Sequence, residues 1–223
     1  MPPSPDPWMD FARVVAGAFM GATFAFLFNF WLQWHVRCRQ ELAAGNLALI
    51  VLAQHLVDTH IVERGIRDHV AKTMAKVPDT PRWAQLWPQH FYFSDKLKFD
   101  YNSLAFLSLK GHRDVLARLA HSEQLYFDLA ALVQAHSEAT ASIQERVSTN
   151  NLSALPWSEM EAKIGRHLTA KASMLTDGLV DRGERNPSDI RKAIQSLRGA
   201  LVQQFGEKAV VKINEQPEIV RLK

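Results

Sequence analysis

The stretch that decides the fold is VVAGAFMGATFAFLFNFWLQW, which runs from Val14 to Trp34. It contains no Asp, Glu, Lys or Arg, and a helix needs about 20 apolar residues to cross the ~30 Å hydrocarbon core of a membrane. A cleaved signal peptide would have a basic start, a shorter apolar run and small residues at its end. A buried helix of a soluble protein rarely runs this long without a charge. The stretch therefore predicts a single transmembrane helix within residues 11–36, preceded by a short extramembrane leader, residues 1–10.

Aromatic and basic residues flank this stretch where a membrane interface is expected. Tryptophan is enriched at both interfaces of a membrane, and Lys and Arg are enriched in cytoplasmic flanks. The flanking residues assigned to the interface are Trp8, Trp31, Trp34, Arg37 and Arg39. Since both arginines follow the helix, we expect the C-terminal domain to be cytoplasmic, which in a bacterium would place the anchor in the inner membrane.

Small residues form a strip within the predicted transmembrane helix. Gly17 and Gly21 have the GxxxG spacing, which Ala25 continues. Such a strip lets two helices approach closely, although similar strips also occur in helices that do not associate. We interpret Gly17, Gly21 and Ala25 as a candidate self-association face.

The rest of the chain has the apolar periodicity of helices. Residues 37–208 are predicted to form an all-α bundle of about five helices, and residues 209–223 a tail with at most one short strand, within Ala209–Asn214. The predicted helices are His35–Lys76, which is either continuous with the anchor or broken at Gly45; one from Ser94 to Gly111; Arg113–Val147; one that begins at the Ser158–Glu161 capping box; and one that begins at Asn186–Pro187 and ends at Gly206. Leu47–Leu56 is apolar but too short for a second crossing, so it is interpreted as a buried core helix.

A connector rich in proline and aromatic residues separates the first two of these helices. The segment PDTPRWAQLWPQHFYF, residues 78–93, holds three prolines and five large aromatic rings. Trp83 and Trp87 are therefore expected either to cap the core of the bundle or to form a partner surface. The cap is favoured, because five exposed rings would leave a large apolar patch.

Composition and motifs limit the chemistry that this chain could perform. The formal net charge of +3 is spread without a basic stripe, so no nucleic-acid partner is expected. Cys38 is the single cysteine, and no phosphate-binding glycine loop or hydrolase motif is present. The chain also contains four potential metal ligands at helical spacing, namely His55, Asp58, His60 and Glu63. Their order is the reverse of the Glu-x-x-His pattern of di-iron helical bundles, which argues against a metal site. We expect no catalytic residues, no cofactor and no metal.

These observations favour a membrane-anchored helical interaction module, such as a scaffold, sensor or effector subunit. Its expected partners are the lipid bilayer and either a second protein or another copy of itself. One alternative is a membrane-perturbing effector that assembles through the transmembrane helix. A metal-dependent enzyme is the weakest of the three interpretations, and the chain is therefore interpreted as a binding protein rather than an enzyme.

Overall fold

The computed structural model describes residues 7–89 and 91–213, and in these residues the chain is an all-α helical bundle without strands. Its helices are α1 (Pro7–Lys76), α2 (Ala105–Leu109), α3 (Arg113–Thr149), α4 (Trp157–Ile164) and α5 (Arg166–Phe205). Short 3-10 turns lie at Arg82–Ala84, Leu152–Ala154 and Glu207–Ala209. The all-α class, with a long apolar helix at the N-terminus, is confirmed.

Helix α1 runs without a break from the apolar stretch into the bundle. At 1.5 Å per residue its 70 residues span about 105 Å. Gly45 does not interrupt it, because the side chain of Leu201 fills the space beside this glycine, where an added Cβ would lie 2.5 Å from a Leu201 methyl. The close contact of α5 with α1 therefore favours a glycine here, because an added Cβ would require the Leu201 side chain to shift.

The bundle consists of the second half of α1 packed against α3 and α5. Gly45 contacts Leu201, whereas Gly183 lies beside Glu63, so α5 runs antiparallel to α1. Helix α5 is also antiparallel to α3, since the Asn186 amide donates to the Leu125 carbonyl and His136 contacts Thr176. Buried aliphatic side chains fill the space between the three helices. The largest cluster includes Leu49, Leu52, Leu107, Leu119, Ile194 and Leu197.

The predicted helix start at Asn186–Pro187 is wrong. Pro187 lies inside α5, which continues from Arg166 to Phe205. Proline removes one backbone hydrogen bond and costs about 3 kcal/mol in a helix interior. Asn186 and Pro187 are nevertheless both buried, and Asn186 donates to α3 instead of capping. The packing of these two residues against the bundle therefore overrides the local signal.

The predicted helix from Ser94 to Gly111 is also mostly absent, and only Ala105–Leu109 is α-helical. Side chains from other helices bind the backbone of residues 94–99 instead. Glu123 accepts the Phe99 amide at 2.9 Å, and the Ser94 amide donates to the Tyr126 hydroxyl at 3.3 Å. These tertiary hydrogen bonds satisfy backbone groups that a helix would otherwise pair.

The helix predicted from the Ser158–Glu161 capping box is divided into two. Helix α4 begins after Pro156 without a side-chain cap and ends at Ile164, because Gly165 has a φ of 106°. Arg146 donates to the Ile164 carbonyl at 2.6 Å, which satisfies the end of α4. In the C-terminal segment, residues 210–213 are not in a strand, and Asn214 lies outside the described residues.

Candidate functional site

The predicted membrane residues all lie on the exposed first half of α1. An 18-residue window of α1 has a mean hydropathy of 1.7, and none of that window is buried. Among the described residues this is the one helix that is long and apolar enough to cross a membrane. Trp8, Trp31 and Trp34 are 76%, 53% and 57% exposed. By length and composition α1 can therefore serve as an anchor.

The residues of the predicted self-association strip and basic flank are also exposed. Apart from the neighbouring backbone of α1 itself, no atom lies within 4 Å of the position that a Cβ would take at Gly17 or Gly21, and Ala25 is exposed as well. Arg37 forms an ion pair with Glu41 at 3.0 Å, whereas Arg39 extends into solvent.

The connector between α1 and α2 crosses the far end of the bundle. Measured along α1, the end of the helix at Lys76 lies about 63 Å beyond Trp34. Pro81 precedes the 3-10 turn Arg82–Ala84, and this turn is held to α5 by an ion pair between Arg82 and Asp177 at 2.6 Å. The connector is thus fixed on the bundle at a site well separated from the apolar half of α1.

The two connector tryptophans have different environments. Trp83 is only 6% exposed and packs with Ile143, Met160 and other residues of the distal core. Its ring makes an edge contact with Trp157 at 5.6 Å between centroids. Trp87, in contrast, is 54% exposed. Trp83 therefore covers the end of the core, whereas Trp87 lies at the surface.

A cavity of about 430 Å³ lies beside these two tryptophans. Its walls come from the connector, from the last turns of α3, and from α4, and they carry no charged side chain. Its lining includes Trp83, Trp87, Ile143, Val147, Trp157 and Met160. Binding pockets for apolar groups have this size and composition.

A second depression lies on the other side of the same connector. This open groove has a volume of about 760 Å³ and lies between the connector, at Gln89 and residues 91–95, and the outer face of α3. The groove has room because α3 carries small side chains along its floor, at Ala130, Ala131 and Ala141. Tyr92, which lines the groove, is 87% exposed.

The connector separates the two depressions where it crosses α3 at Ser137. The Ser137 hydroxyl donates to the Gln89 carbonyl at 2.8 Å and accepts the Gln89 amide at 3.3 Å. The α3 residues that line the two depressions extend from Phe127 to Ser148, which corresponds to about 32 Å of helix. We call this region, the two depressions with Trp87 and Tyr92 at their edges, the distal surface.

The charged side chains that line the distal surface are acidic and lie in the groove, and Lys98 Nζ lies at the groove's edge, 5.5 Å from the centroid of the Phe127 ring. Asp95 and Glu138 line the groove, and neither forms an ion pair with a described residue. Beneath the surface, His136 is fully buried and contacts the Thr176 hydroxyl at 3.1 Å. Burial lowers the pKa of His136 to about 4, so this side chain is neutral at physiological pH.

The four residues considered as metal ligands are engaged in other contacts. His55 contacts the Leu97 carbonyl at 2.8 Å, Asp58 accepts from the Tyr126 hydroxyl, and Glu63 contacts His60 and Arg67. In residues 7–89 and 91–213, no group of three or more His, Cys, Asp or Glu side chains is arranged to hold a metal ion.

Sequence reasoning found the tryptophans of the connector but missed most of the distal surface. Trp157 and Tyr92 were not assigned to a site, and neither was the alanine-rich face of α3. A usable signal was the recurrence of alanine at exposed positions of a long amphipathic helix, which leaves room for another element.

Comparison with known proteins adds no assignment, because no family model, no curated protein and no solved structure matches this chain.

Proposed function

We propose that this chain is a single-pass membrane protein whose helical bundle binds a protein partner through the distal surface. The observation that carries the proposal is the pair of apolar depressions on the two sides of a fixed connector, with Trp87 and Tyr92 exposed at their edges. Exposed tryptophan and tyrosine beside a pocket are typical of the residues that contribute most to protein binding.

The shape and charge of the distal surface favour an amphipathic helix as the bound segment. About 32 Å corresponds to a helix of roughly 20 residues, which would place apolar side chains at helical spacing along the two depressions. The uncharged cavity would take an aromatic or branched aliphatic side chain. A basic residue toward the other end of the segment would face Asp95 and Glu138.

The anchor would hold this surface at a defined height. We place the membrane across the apolar half of α1, with Arg37 and Arg39 and the bundle on the cytoplasmic side. An uninterrupted helix then carries the distal surface roughly 60 Å from the hydrocarbon. A reporter fused after Lys223 should show cytoplasmic activity, and activity on the opposite side of the membrane would reverse this orientation.

Site-specific photo-crosslinking in native membranes tests the binding proposal. A photoreactive amino acid at Trp87 or Tyr92 should yield a discrete crosslinked product. The matched control is Met174, which is 74% exposed on α5 and lies outside both depressions. The proposal is supported if the product forms at the first two positions and is absent at Met174. Equal labelling at all three, or none at any, would contradict it.

Trp87→Ala combined with Tyr92→Ala provides a second measurement. Because both side chains are exposed, the double variant should keep the unfolding midpoint of the wild type. The photoreactive residue is placed at Gln134 in the same groove for this measurement, since Trp87 and Tyr92 are replaced. The double variant should lose the crosslinked product. A full yield of product from the double variant would remove the distal surface from the proposal.

A further inference from the structure

A sharp corner of the chain lies at the end of the bundle nearest the apolar half of α1. Helix α2 ends at Leu109, Gly111 reverses the chain with a φ of 85°, and α3 begins at Arg113. We call residues 109–113 the proximal corner. Phe106, in the same short helix, is buried, whereas Leu109 is 75% exposed. A single exposed leucine is common on protein surfaces, so the position of this one decides what it can contact.

The proximal corner is held against α1 at a fixed height. The Lys110 ammonium forms an ion pair with the Glu41 carboxylate at 2.9 Å and lies 5.4 Å from the centroid of the Phe205 ring, at the end of α5. Glu41 also pairs with Arg37 at 3.0 Å, and its own side chain is only 12% exposed. Movement of the corner along α1 would break these contacts.

Leu109 lies beside Trp34, at the end of the charge-free stretch. Both side chains line a small pocket of about 170 Å³, together with Cys38 and Glu41 of α1. Trp34, Cys38 and Glu41 follow one another at spacings of four and three, so they lie on one face of α1. Because Trp34 and Glu41 are about 10 Å apart along the helix, Leu109 lies within about 10 Å of the level of Trp34.

The level of Trp34 is the membrane surface if α1 spans the membrane. No charged residue lies between Val14 and Trp34, and Arg37 is the first charge after them. The headgroup layer adds about 5 to 8 Å on each side of the hydrocarbon. The proximal corner therefore lies among the headgroups, where an exposed leucine can insert toward the acyl chains.

The charges around the proximal corner suit anionic headgroups. Residues 37–41 and 109–114 carry four basic and two acidic side chains. Glu41, one of the two acidic residues, is mostly buried and already paired with two cations, so it opposes an anionic surface little. Basic side chains at a membrane surface are attracted by anionic lipids. The basic residues are Arg37, Arg39, Lys110 and Arg113.

We propose that the proximal corner is a second membrane contact, in which Leu109 inserts among the headgroups of anionic phospholipids in the membrane that α1 spans. This contact rests on the proposed anchoring of α1 and is independent of any partner at the distal surface. A single spanning helix is free to tilt and rotate unless other groups hold it at the interface. The contact would fix both, and with them the direction in which the distal surface points.

Depth-dependent fluorescence quenching of the full chain is the first test. Cys38 is the single native cysteine, so a Cys38→Ser background accepts one fluorophore at a chosen position. The vesicles contain phosphatidylcholine and phosphatidylglycerol, with nitroxide lipids as quenchers. In this background, headgroup nitroxides should quench a fluorophore on Leu109→Cys about twofold or more, because it lies at their depth. The matched control is Met174→Cys, since Met174 is 74% exposed but lies about 55 Å beyond Trp34 along the bundle. It should not be quenched.

A third probe separates this proposal from the anchoring on which it rests. Phe24→Cys lies in the middle of the charge-free stretch, and nitroxides on the acyl chains should quench its fluorophore. Quenching at Phe24 with none at Leu109 would overturn the proposed contact and leave the anchor in place. No quenching at Phe24 would overturn both.

A charge at Leu109 provides the second test, with the fluorophore moved to Arg113→Cys in the same corner. Leu109→Glu should lower the headgroup quenching of this probe about twofold or more, because anionic headgroups repel a carboxylate and lipid disfavours it. Met174→Glu should leave the quenching unchanged. Since Leu109 is exposed, the variant should keep the unfolding midpoint of the wild type. Unchanged quenching in Leu109→Glu would overturn the proposal.

Residues 214–223 are the other candidate cover for Leu109, since Ala209 and Val211 contact Asn46 of α1 just before them. A chain that ends at Ile213 tests this alternative. Its Leu109 fluorophore should be quenched as strongly as that of the full chain. Quenching that develops only after the tail is removed would assign the cover to the tail and overturn the proposal.

Discussion

Replacing Trp83 and Trp87 separately measures how far the aromatic connector stabilises the bundle. Trp83 is 6% exposed and lines a cavity of about 430 Å³, so the site cannot easily collapse after truncation. Trp83→Ala should therefore cost about 3 to 5 kcal/mol. In a domain of 150 to 250 residues each kcal/mol shifts the unfolding midpoint by about 2 to 4 °C, so the expected loss is roughly 10 °C. Trp87→Ala, at 54% exposure, should cost about 1 kcal/mol or less.

Trp83→Phe separates ring packing from hydrogen bonding. The Trp83 indole N–H is buried and has no acceptor among the described residues, and an unsatisfied buried donor costs about 1 to 3 kcal/mol. Phenylalanine removes this donor while keeping an aromatic ring, so we expect a midpoint within a few degrees of the wild type. The assay is thermal unfolding of the full chain in detergent, followed by near-UV circular dichroism, which reports tertiary packing. A midpoint of Trp83→Ala close to the wild type, or an equal loss in Trp87→Ala, would refute the reasoning.

Three further predictions concern glycine packing, acid stability and the anchor. Gly45→Ala should destabilise the bundle by about 1 to 3 kcal/mol in denaturant unfolding, because its Cβ would meet the buried Leu201 side chain at 2.5 Å. Gly199→Ala is the control: this glycine has open space around it, so the substitution should stabilise the bundle by about 0.5 to 1 kcal/mol. Burial lowers the pKa of His136 to about 4, so the unfolded state binds more protons than the folded state below pH 6.5. The free energy of unfolding should therefore fall by up to about 3 kcal/mol as the pH falls from 6.5 to 4, and His136→Asn should flatten this dependence. Gly17→Ile combined with Gly21→Ile should lower the yield of crosslinked dimer in membranes, because bulky side chains on the small-residue strip would hold two helices apart; an unchanged yield would remove this strip from the self-association interpretation.

Local patterns in the sequence predicted several elements correctly. The charge-free stretch gives α1 its long exposed apolar half, and the periodic segment from Arg113 gives α3, which ends two residues beyond the predicted Val147. The apolar row from Ile190 to Leu201 is fully buried as predicted. These features follow from composition and helical period, which are properties of neighbouring residues.

Other features depend on contacts between residues far apart in the chain. Pro187 was predicted to begin a helix and Ser94 to cap one, but the first lies inside α5 and the second in an irregular segment. In both places a contact with a distant part of the chain replaces the local role. Asn186 of α5 donates to the Leu125 carbonyl of α3, and Glu123 and Tyr126 of α3 accept the backbone amides of Phe99 and Ser94. A sequence read one window at a time contains no information about such partners.

The same distinction explains what could be predicted of the functional surfaces. The sequence identified Leu47–Leu56 as apolar, and it identified Trp83 and Trp87 as a pair. Only the tertiary structure decided that the bundle buries one side of that helix and leaves Leu47 and Ile50 exposed, and that Trp83 enters the core while Trp87 stays outside. Hydrophobicity is a property of each residue, but burial depends on which surfaces the rest of the chain covers, and that is settled only when distant helices pack together.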